Sequence, residues 1–199
     1  MQEVSIKRQR TAKVILHAVK VLYEKKGLGQ ISYDEVAREA GVCRTTVFNY
    51  FPTTQQLLAA LQTLEVEEIL SECEREDAPT GYKRIEALFY KLIDDTAKYP
   101  NMMTTLTNNL ILSEDSPCIE KLEQLVAASL REAGWCPDRE ISYEHMAIML
   151  MGQYYGLMNH YHIVKAAFES DKIKKEIKAM IEYLLDTGSD YKQIAKKSI

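Results

Sequence analysis

Glycine, proline and cysteine are scarce in this chain of 199 residues, at eight, five and four, and each scarcity closes off a class of function. Eight scattered glycines supply no glycine-rich loop to wrap backbone N–H groups around a phosphate. The four cysteines, Cys43, Cys73, Cys118 and Cys136, stand 30, 45 and 18 residues apart. No pair has the short gap of a zinc site or a CxxC redox motif, so reduced thiols are expected. His160 and His162 are two apart, which a helix turns about 200° from each other, so they do not share a metal. No Ser, Cys or Thr sits in a recognisable nucleophile motif. Catalytic residues, metals and cofactors are therefore not expected, and an enzyme is disfavoured. No run approaches about 18 consecutive apolar residues. The first ten residues, MQEVSIKRQR, carry charge where a secretory leader needs an apolar stretch, so a cytoplasmic location is expected.

What is present is an ordinary folded composition, 46% hydrophobic and 27% charged, with an uneven distribution of charge. Residues 1–60 hold nine Lys or Arg against five Asp or Glu, and the remainder holds 16 against 24, so the net −4 divides into +4 and −8. A basic head on an acidic body directs the head to phosphate and keeps the body away from it. Simple variation among helix surfaces is the alternative that charge counting leaves open.

The periodicity is helical throughout, and no strand signal appears. A first helix is expected from about Lys7 to Lys26, on Ile15, Ala18, Val19, Leu22 and Tyr23, with Gly27 at its end. Lys7, Arg8 and Arg10 precede its apolar face. They either lie along a nucleic-acid backbone or enter a minor groove, or they form a solvated terminus. A long helix from Thr53 to about Glu76 buries Leu57, Leu61, Leu64 and Ile69, and EREDAPTG (74–81) is the clearest linker. Helices then follow over about 82–98, 101–112, 117–133, 142–168 and 171–185, with SEDSP separating two of them. The expected architecture is all-α with about nine helices.

Between the first helix and the long one lies SYDEVAREAGVCRTTVFNYFPTTQQL, Ser32–Leu57. Ser32 and Glu35 form a capping box that opens a short helix. Val36, Ala37 and Ala40 give its apolar stripe, and Gly41 supplies the positive φ that closes it. A second short helix, Cys43–Tyr50, turns Val42, Val47 and Phe51 inward and leaves Arg44, Thr45, Thr46 and Asn49 outside. Pro52 stops it, and Thr53 with Gln56 is a second capping box. This is a helix-turn-helix pattern, whose second helix enters the major groove, where Arg reads guanine and Thr meets a base edge or a thymine methyl.

AREAGVCRTTVFNYFPTTQQLL resembles the signature of the tetracycline-repressor (TetR) family, and the resemblance extends upstream through Ile15, Ala18, Leu22, Tyr23 and Gly27. It implies a three-helix DNA-binding domain, residues 1–52, on a larger helical effector-binding and dimerisation domain, residues 53–199, joined through a connecting helix over 53–76. Four positions depart from the pattern. Cys43 stands where Ser is usual, Thr45 where Gly is frequent, Phe48 where Tyr is frequent, and Thr54 where Lys is usual. The last two remove groups that would grip phosphate.

These readings give a set of candidate sites. Arg44, Thr45 and Thr46 are expected to read bases. Ser32, Tyr33, Asn49, Tyr50 and Thr54 are expected to position the DNA backbone, with Lys7 and Arg8 adding uniform affinity. Met102, Met103, Met146, Met149, Met151 and Met158, with Tyr99, Tyr154, Tyr155, Tyr161 and Trp135, either line an adaptable ligand pocket or pack the core. The pocket version places an apolar or aromatic small-molecule effector among Phe89, Leu92, Met102, Met149 and Tyr154. For assembly, Gly152 and Gly156 fall on one helix face with Ile148, Asn159 and Ile163. Two interior glycines each cost ~1 kcal/mol relative to Ala, so close approach of another helix is expected. That helix comes from a second subunit, as the resemblance implies, or from the same one. Ile177 and Ile181 join the face in the subunit version. The expected protein is thus a homodimeric, ligand-responsive regulator on a palindromic double-stranded operator, a repressor, with no membrane association. A thiol-based redox sensor through Cys43 on the same scaffold, and a helical enzyme or scaffold protein, are the rivals.

Overall fold

The computed structural model describes residues 2–27, 30–112, 117–135 and 141–197, with side-chain placement for 6–27, 30–108, 118–135 and 141–183. All regular structure among the described residues is helical: α1 (Gln2–Lys26), α2 (Tyr33–Ala40), α3 (Arg44–Tyr50), α4 (Thr54–Cys73), α5 (Tyr82–Lys98), α6 (Pro100–Leu112), α7 (Pro117–Glu132), α8 (Tyr143–Val164) and α9 (Ser170–Lys197). The all-α architecture read from periodicity is the one that forms. Four helix ends differ, among them that of α4, which closes at Cys73 and not near Glu76. α1 starts at Gln2 because the segment before Lys7 holds neither Gly nor Pro to stop it. α8 stops at Val164, where Lys165 takes a left-handed conformation at φ 52 and ψ 33, and α9 runs on past 185 to Lys197. Cys136 and the separator residues 113–116 lie outside the described residues.

The chain divides into two compact units, Met1–Glu67 with Tyr99–Ile111, and Glu68–Lys98 with Leu112–Ile199. α4 is one unbroken helix through residue 67. In the first unit, Ile15, Leu16, Val19, Leu22 and Tyr23 of α1 share a core with Val36 and Ala37 of α2, Val47 of α3, and Phe51. Leu57, Leu61 and Leu64 of α4 and Met102, Met103 and Leu106 of α6 complete it. Polar bonds fix the same helices. Tyr23 Oη donates to Thr105 Oγ1 at 2.6 Å. The Glu24 carboxylate lies at the α6 N-terminus, where it accepts from Asn101 Nδ2 at 3.2 Å and Met102 N at 3.5 Å, the end at which a negative charge offsets unpaired N–H groups. Lys20 Nζ reaches both Glu65 carboxylate oxygens at 2.6 Å.

In the second unit, α5 packs against α7 and α9, and α7 against α8. Ile85, Leu88, Phe89, Leu92 and Ile93 of α5 are buried, each contributing about 1.5–3 kcal/mol of transfer free energy. The linker at 74–81 is held down by Glu132, which accepts from Gly81 N at 3.3 Å and from Arg84 Nη1 at 2.9 Å.

Candidate nucleic-acid interface

The turn between α2 and α3 is built by local chemistry. Ser32 Oγ accepts from Glu35 N at 3.3 Å while Glu35 Oε2 accepts from Ser32 N at 3.1 Å, so both halves of the capping box form. Lys26 donates to Glu35 Oε1 at 2.5 Å. That bond, followed by the Ser32 backbone and hydroxyl bonds, holds the Glu35 carboxyl down to about 2. Gly41 takes φ 64 and its N–H returns to Ala37 and Arg38 carbonyls, closing α2 as left-handed caps do. Val47, wholly buried, plants α3 in the core. The two helices are thereby locked, and the opposite side of α3 faces outward.

Arg44, Thr45, Phe48 and Asn49 are exposed on that side, with Thr46 half-buried. Arg44 Nη1 donates to Asp34 Oδ2 at 3.1 Å, an exposed pair that leaves other guanidinium donors open to a base edge. Thr46 Oγ1 lies 2.9 Å from Cys43 Sγ. The flanking residues are committed to different degrees. The Ser32 hydroxyl serves the cap, and Tyr33 Oη donates to Phe51 O at 2.6 Å. Tyr50 is half-buried, with the Arg8 guanidinium 5.7 Å above its ring. Thr54 is exposed at the start of α4, and Lys7 is exposed on α1. Both Lys7 and Arg8 are helical, part of a rod and not of an extended arm, and Arg8 stands over Tyr50 of α3. A rigid second helix aimed outward, with Arg and Thr at its first turn and a cation alongside, defines a helix-turn-helix DNA-binding protein.

Residues 15–61 match the family model described as bacterial regulatory proteins, tetR family. Through this segment, which holds the helix-turn-helix, the chain is similar to DNA-binding regulators of the tetR family. It is 23% identical over 164 residues to nucleoid occlusion factor SlmA of Haemophilus influenzae strain PittGG, covering 74% of this chain and 73% of that protein. Solved structures share the fold along most of the chain. SmeT, repressor of the Stenotrophomonas maltophilia multidrug efflux pump SmeDEF, superposes with a TM-score of 0.61 at 14% identity, over 87% of this chain and 89% of that one. A TetR-family transcriptional regulator from Agrobacterium tumefaciens gives 0.64 at 16%, over 88% and 98%. At such identities the likeness establishes the fold alone. No helix among the described residues is long and apolar enough to cross a membrane.

The residues expected to form an effector pocket are distributed over both units. Phe89, Leu92 and Tyr154 are buried together in the second unit, with the Phe89 and Tyr154 rings 6.4 Å apart and Tyr154 Oη 2.9 Å from Thr96 Oγ1. Met102, on α6, fills the core of the first unit. Met149 is 45% exposed on the outer face of α8. Tyr155, at 5.7 Å from Tyr154, has a buried hydroxyl with no hydrogen-bond partner among the described residues. Burial first, then Tyr154 and the Glu123 carboxylate, push that phenol up.

The residues expected at a dimer interface also divide. Ile148, Gly152, Gly156 and Ile163 are exposed along one face of α8 and Asn159 is half-buried, whereas Ile177 and Ile181 are buried within the second unit. The apolar stripe of α9 serves packing inside the unit, where α5 meets α9. A Cβ built on Gly152 or Gly156 meets nothing within 4 Å among the described residues.

Asp34 is an addition that the sequence did not indicate, and Phe48 takes a place on the outer face that its reading as a lost phosphate contact did not give it. Asp34 lies ten residues before Arg44, and only the sharp turn at Gly41 brings them together. Phe48 was read as a lost phosphate contact, although its place one turn after Arg44 already puts it on the same face.

Proposed function

We propose that two copies of this chain bind a palindromic operator, one α3 in each half-site, and that a small apolar or aromatic effector taken up by the second unit releases them, making the protein a repressor. In this reading residues 1–52 read DNA, and residues 53–199 bind the effector and dimerise. Arg44, Thr45 and Thr46 contact bases. Ser32, Tyr33, Asn49, Tyr50 and Thr54 hold the sugar-phosphate backbone, with Lys7 and Arg8 adding charge.

The observation that carries the reading is the outer face of α8. It presents Ile148 and Ile163, 48% and 75% exposed, around two glycines that cost ~1 kcal/mol each and that have open space beside them among the described residues. Packing of the same face from a second copy offsets that cost and supplies the two-fold symmetry a palindrome requires. For the effector, the support is the aromatic interior of Phe89, Tyr154 and Tyr155 with its unpartnered hydroxyl. Burying such a group unpaired costs about 1–3 kcal/mol, which a hydrogen bond from a ligand offsets.

The test is anisotropy of a fluorescent duplex carrying a site selected from random DNA, titrated with protein and then with apolar aromatic compounds that raise the protein's melting temperature. Release is expected, with DNA affinity falling about five- to 150-fold, or ~1–3 kcal/mol of coupling. If compounds that bind and stabilise the protein leave DNA affinity unchanged, the effector role is wrong.

One observation favours a second reading. Cys43 is exposed at the start of α3, and hydrogen bonds from the Thr46 hydroxyl and then the Thr46 backbone push its thiol down, toward the reactive thiolate. A thiol switch predicts that a mild oxidant abolishes operator binding and that Cys43→Ser protects it. Equal binding under oxidant and reductant excludes the switch.

A further inference from the structure

Phe48 is 54% exposed, and it is the single large apolar side chain exposed on α2 or α3. The fold does not account for this. The ring of Tyr33 meets it edge to face at 6.4 Å, and the Tyr33 hydroxyl is turned away to Phe51 O, so the outer surface of the pair is wholly apolar. Phenylalanine lacks the hydroxyl that would bond a phosphate, which leaves apolar contact as its only means of holding DNA. In the major groove the one apolar feature of a base edge is the 5-methyl group of thymine. Set against an adenine N6, a guanine O6 or a cytosine N4, the same ring would strip water from a polar group and return no hydrogen bond. Phe48 follows Arg44 by four residues, one helical turn on the same face. A turn rises 5.4 Å against 3.4 Å per base step, so the two side chains reach positions about two base pairs apart.

We propose that Phe48 is a base-reading residue that takes the 5-methyl group of a thymine about two base pairs from the base read by Arg44. This rests on the placement of α3 in the major groove. The ring selects thymine by contact and disfavours the other bases by desolvating them, which makes it a determinant of operator sequence and not of general DNA affinity.

The experiment begins with binding sites selected from a random duplex library by the wild-type protein. Each thymine of the selected half-site is then replaced in turn by uracil, which removes the methyl group and leaves every hydrogen-bonding atom. At one position the wild type should lose about fourfold, the worth of one buried methylene-sized group, and about fifteenfold when the position is replaced in both half-sites. Phe48→Ala, which should melt with the wild type because the ring is exposed, should bind the thymine and uracil duplexes equally. Its own library should show no preference at that position. Wild-type affinity that is equal for thymine and uracil at every position overturns the proposal, as does a Phe48→Ala protein that still discriminates. Loss of the guanine preference in Arg44→Ala without any thymine–uracil difference would remove the Phe48 role alone. A wild-type library with no preferred sequence would remove the groove placement as well.

Discussion

Breaking the Lys20–Glu65 pair one partner at a time should be costly, whereas removing both partners should not. The ammonium lies 2.6 Å from the carboxylate, the two side chains are 11% and 5% exposed, and the ammonium also sits 4.6 Å above the Tyr99 ring. Lys20→Met leaves a carboxylate in the interior of the first unit without its ammonium. Losses of this kind are about 3–5 kcal/mol, a large share of the ~5–15 kcal/mol that holds a native protein together. For a chain of this size each kcal/mol lowers the melting temperature by about 2–4 °C, so Lys20→Met should melt about 6–20 °C below wild type. Glu65→Leu should fall toward the lower end, since the ammonium keeps the aromatic face and a flexible stem that can carry it toward water. The double variant Lys20→Met/Glu65→Leu replaces the pair with apolar groups of similar volume and should return to within ~1 kcal/mol of wild type, or exceed it. Urea denaturation of the four proteins, followed by circular dichroism, closes the cycle. Additive losses in the double variant, or a Lys20→Met loss below ~1 kcal/mol, would refute the claim that the pair is a coupled buried unit.

Other consequences can be measured on the same material. Gly152→Leu with Gly156→Leu should give monomers in sedimentation that are at least as helical as wild type, because their side chains enter open space within the subunit and leucine is the better helix former; dimers of unchanged affinity would move the interface elsewhere. Lys7→Ala with Arg8→Ala should weaken binding alike on operator and scrambled DNA and lower the salt slope by about 0.9 per lost phosphate contact, whereas an unchanged slope would assign both to solvent. The Glu35 carboxyl is held down to about 2 from 4.5, so its stabilising bonds are intact above pH 4.5 and are lost as pH falls toward 2. Glu35→Gln should remove that component of acid sensitivity, seen as a shallower fall in melting temperature with pH, and an unchanged fall would contradict it.

The helix-turn-helix was legible because its determinants are local. Ser32, Glu35 and Gly41 lie within ten residues, and the same capping bonds and left-handed glycine form that their spacing dictates. The helix count, nine among the described residues, followed equally from period. Helix ends were less legible where no glycine or proline marks them, as at the start of α1 and in the continuation of α9. An amphipathic stripe also does not say what covers it, and so Ile177 and Ile181 read as a partner-facing surface although they pack within their own unit. Met102 is a further case, since period shows that it is buried but not in which unit. The Lys20–Glu65 pair spans 45 residues, and nothing at either position distinguishes a buried charge from an exposed one. The glycines of α8 are a different case, because their cost is visible in the sequence, whereas the open space beside them among the described residues is visible only in the structure.

The most direct test of the reading of DNA by α3 compares Arg44→Ala with wild type on a selected operator and on a scrambled duplex at one fixed salt concentration. A bidentate contact to one base is worth about 1–3 kcal/mol of discrimination, or about five- to 150-fold per half-site. Operator affinity should fall by that factor while affinity for scrambled DNA falls little, so that the specificity ratio collapses. An equal loss on both duplexes would contradict base reading by Arg44 and reduce it to one more phosphate contact.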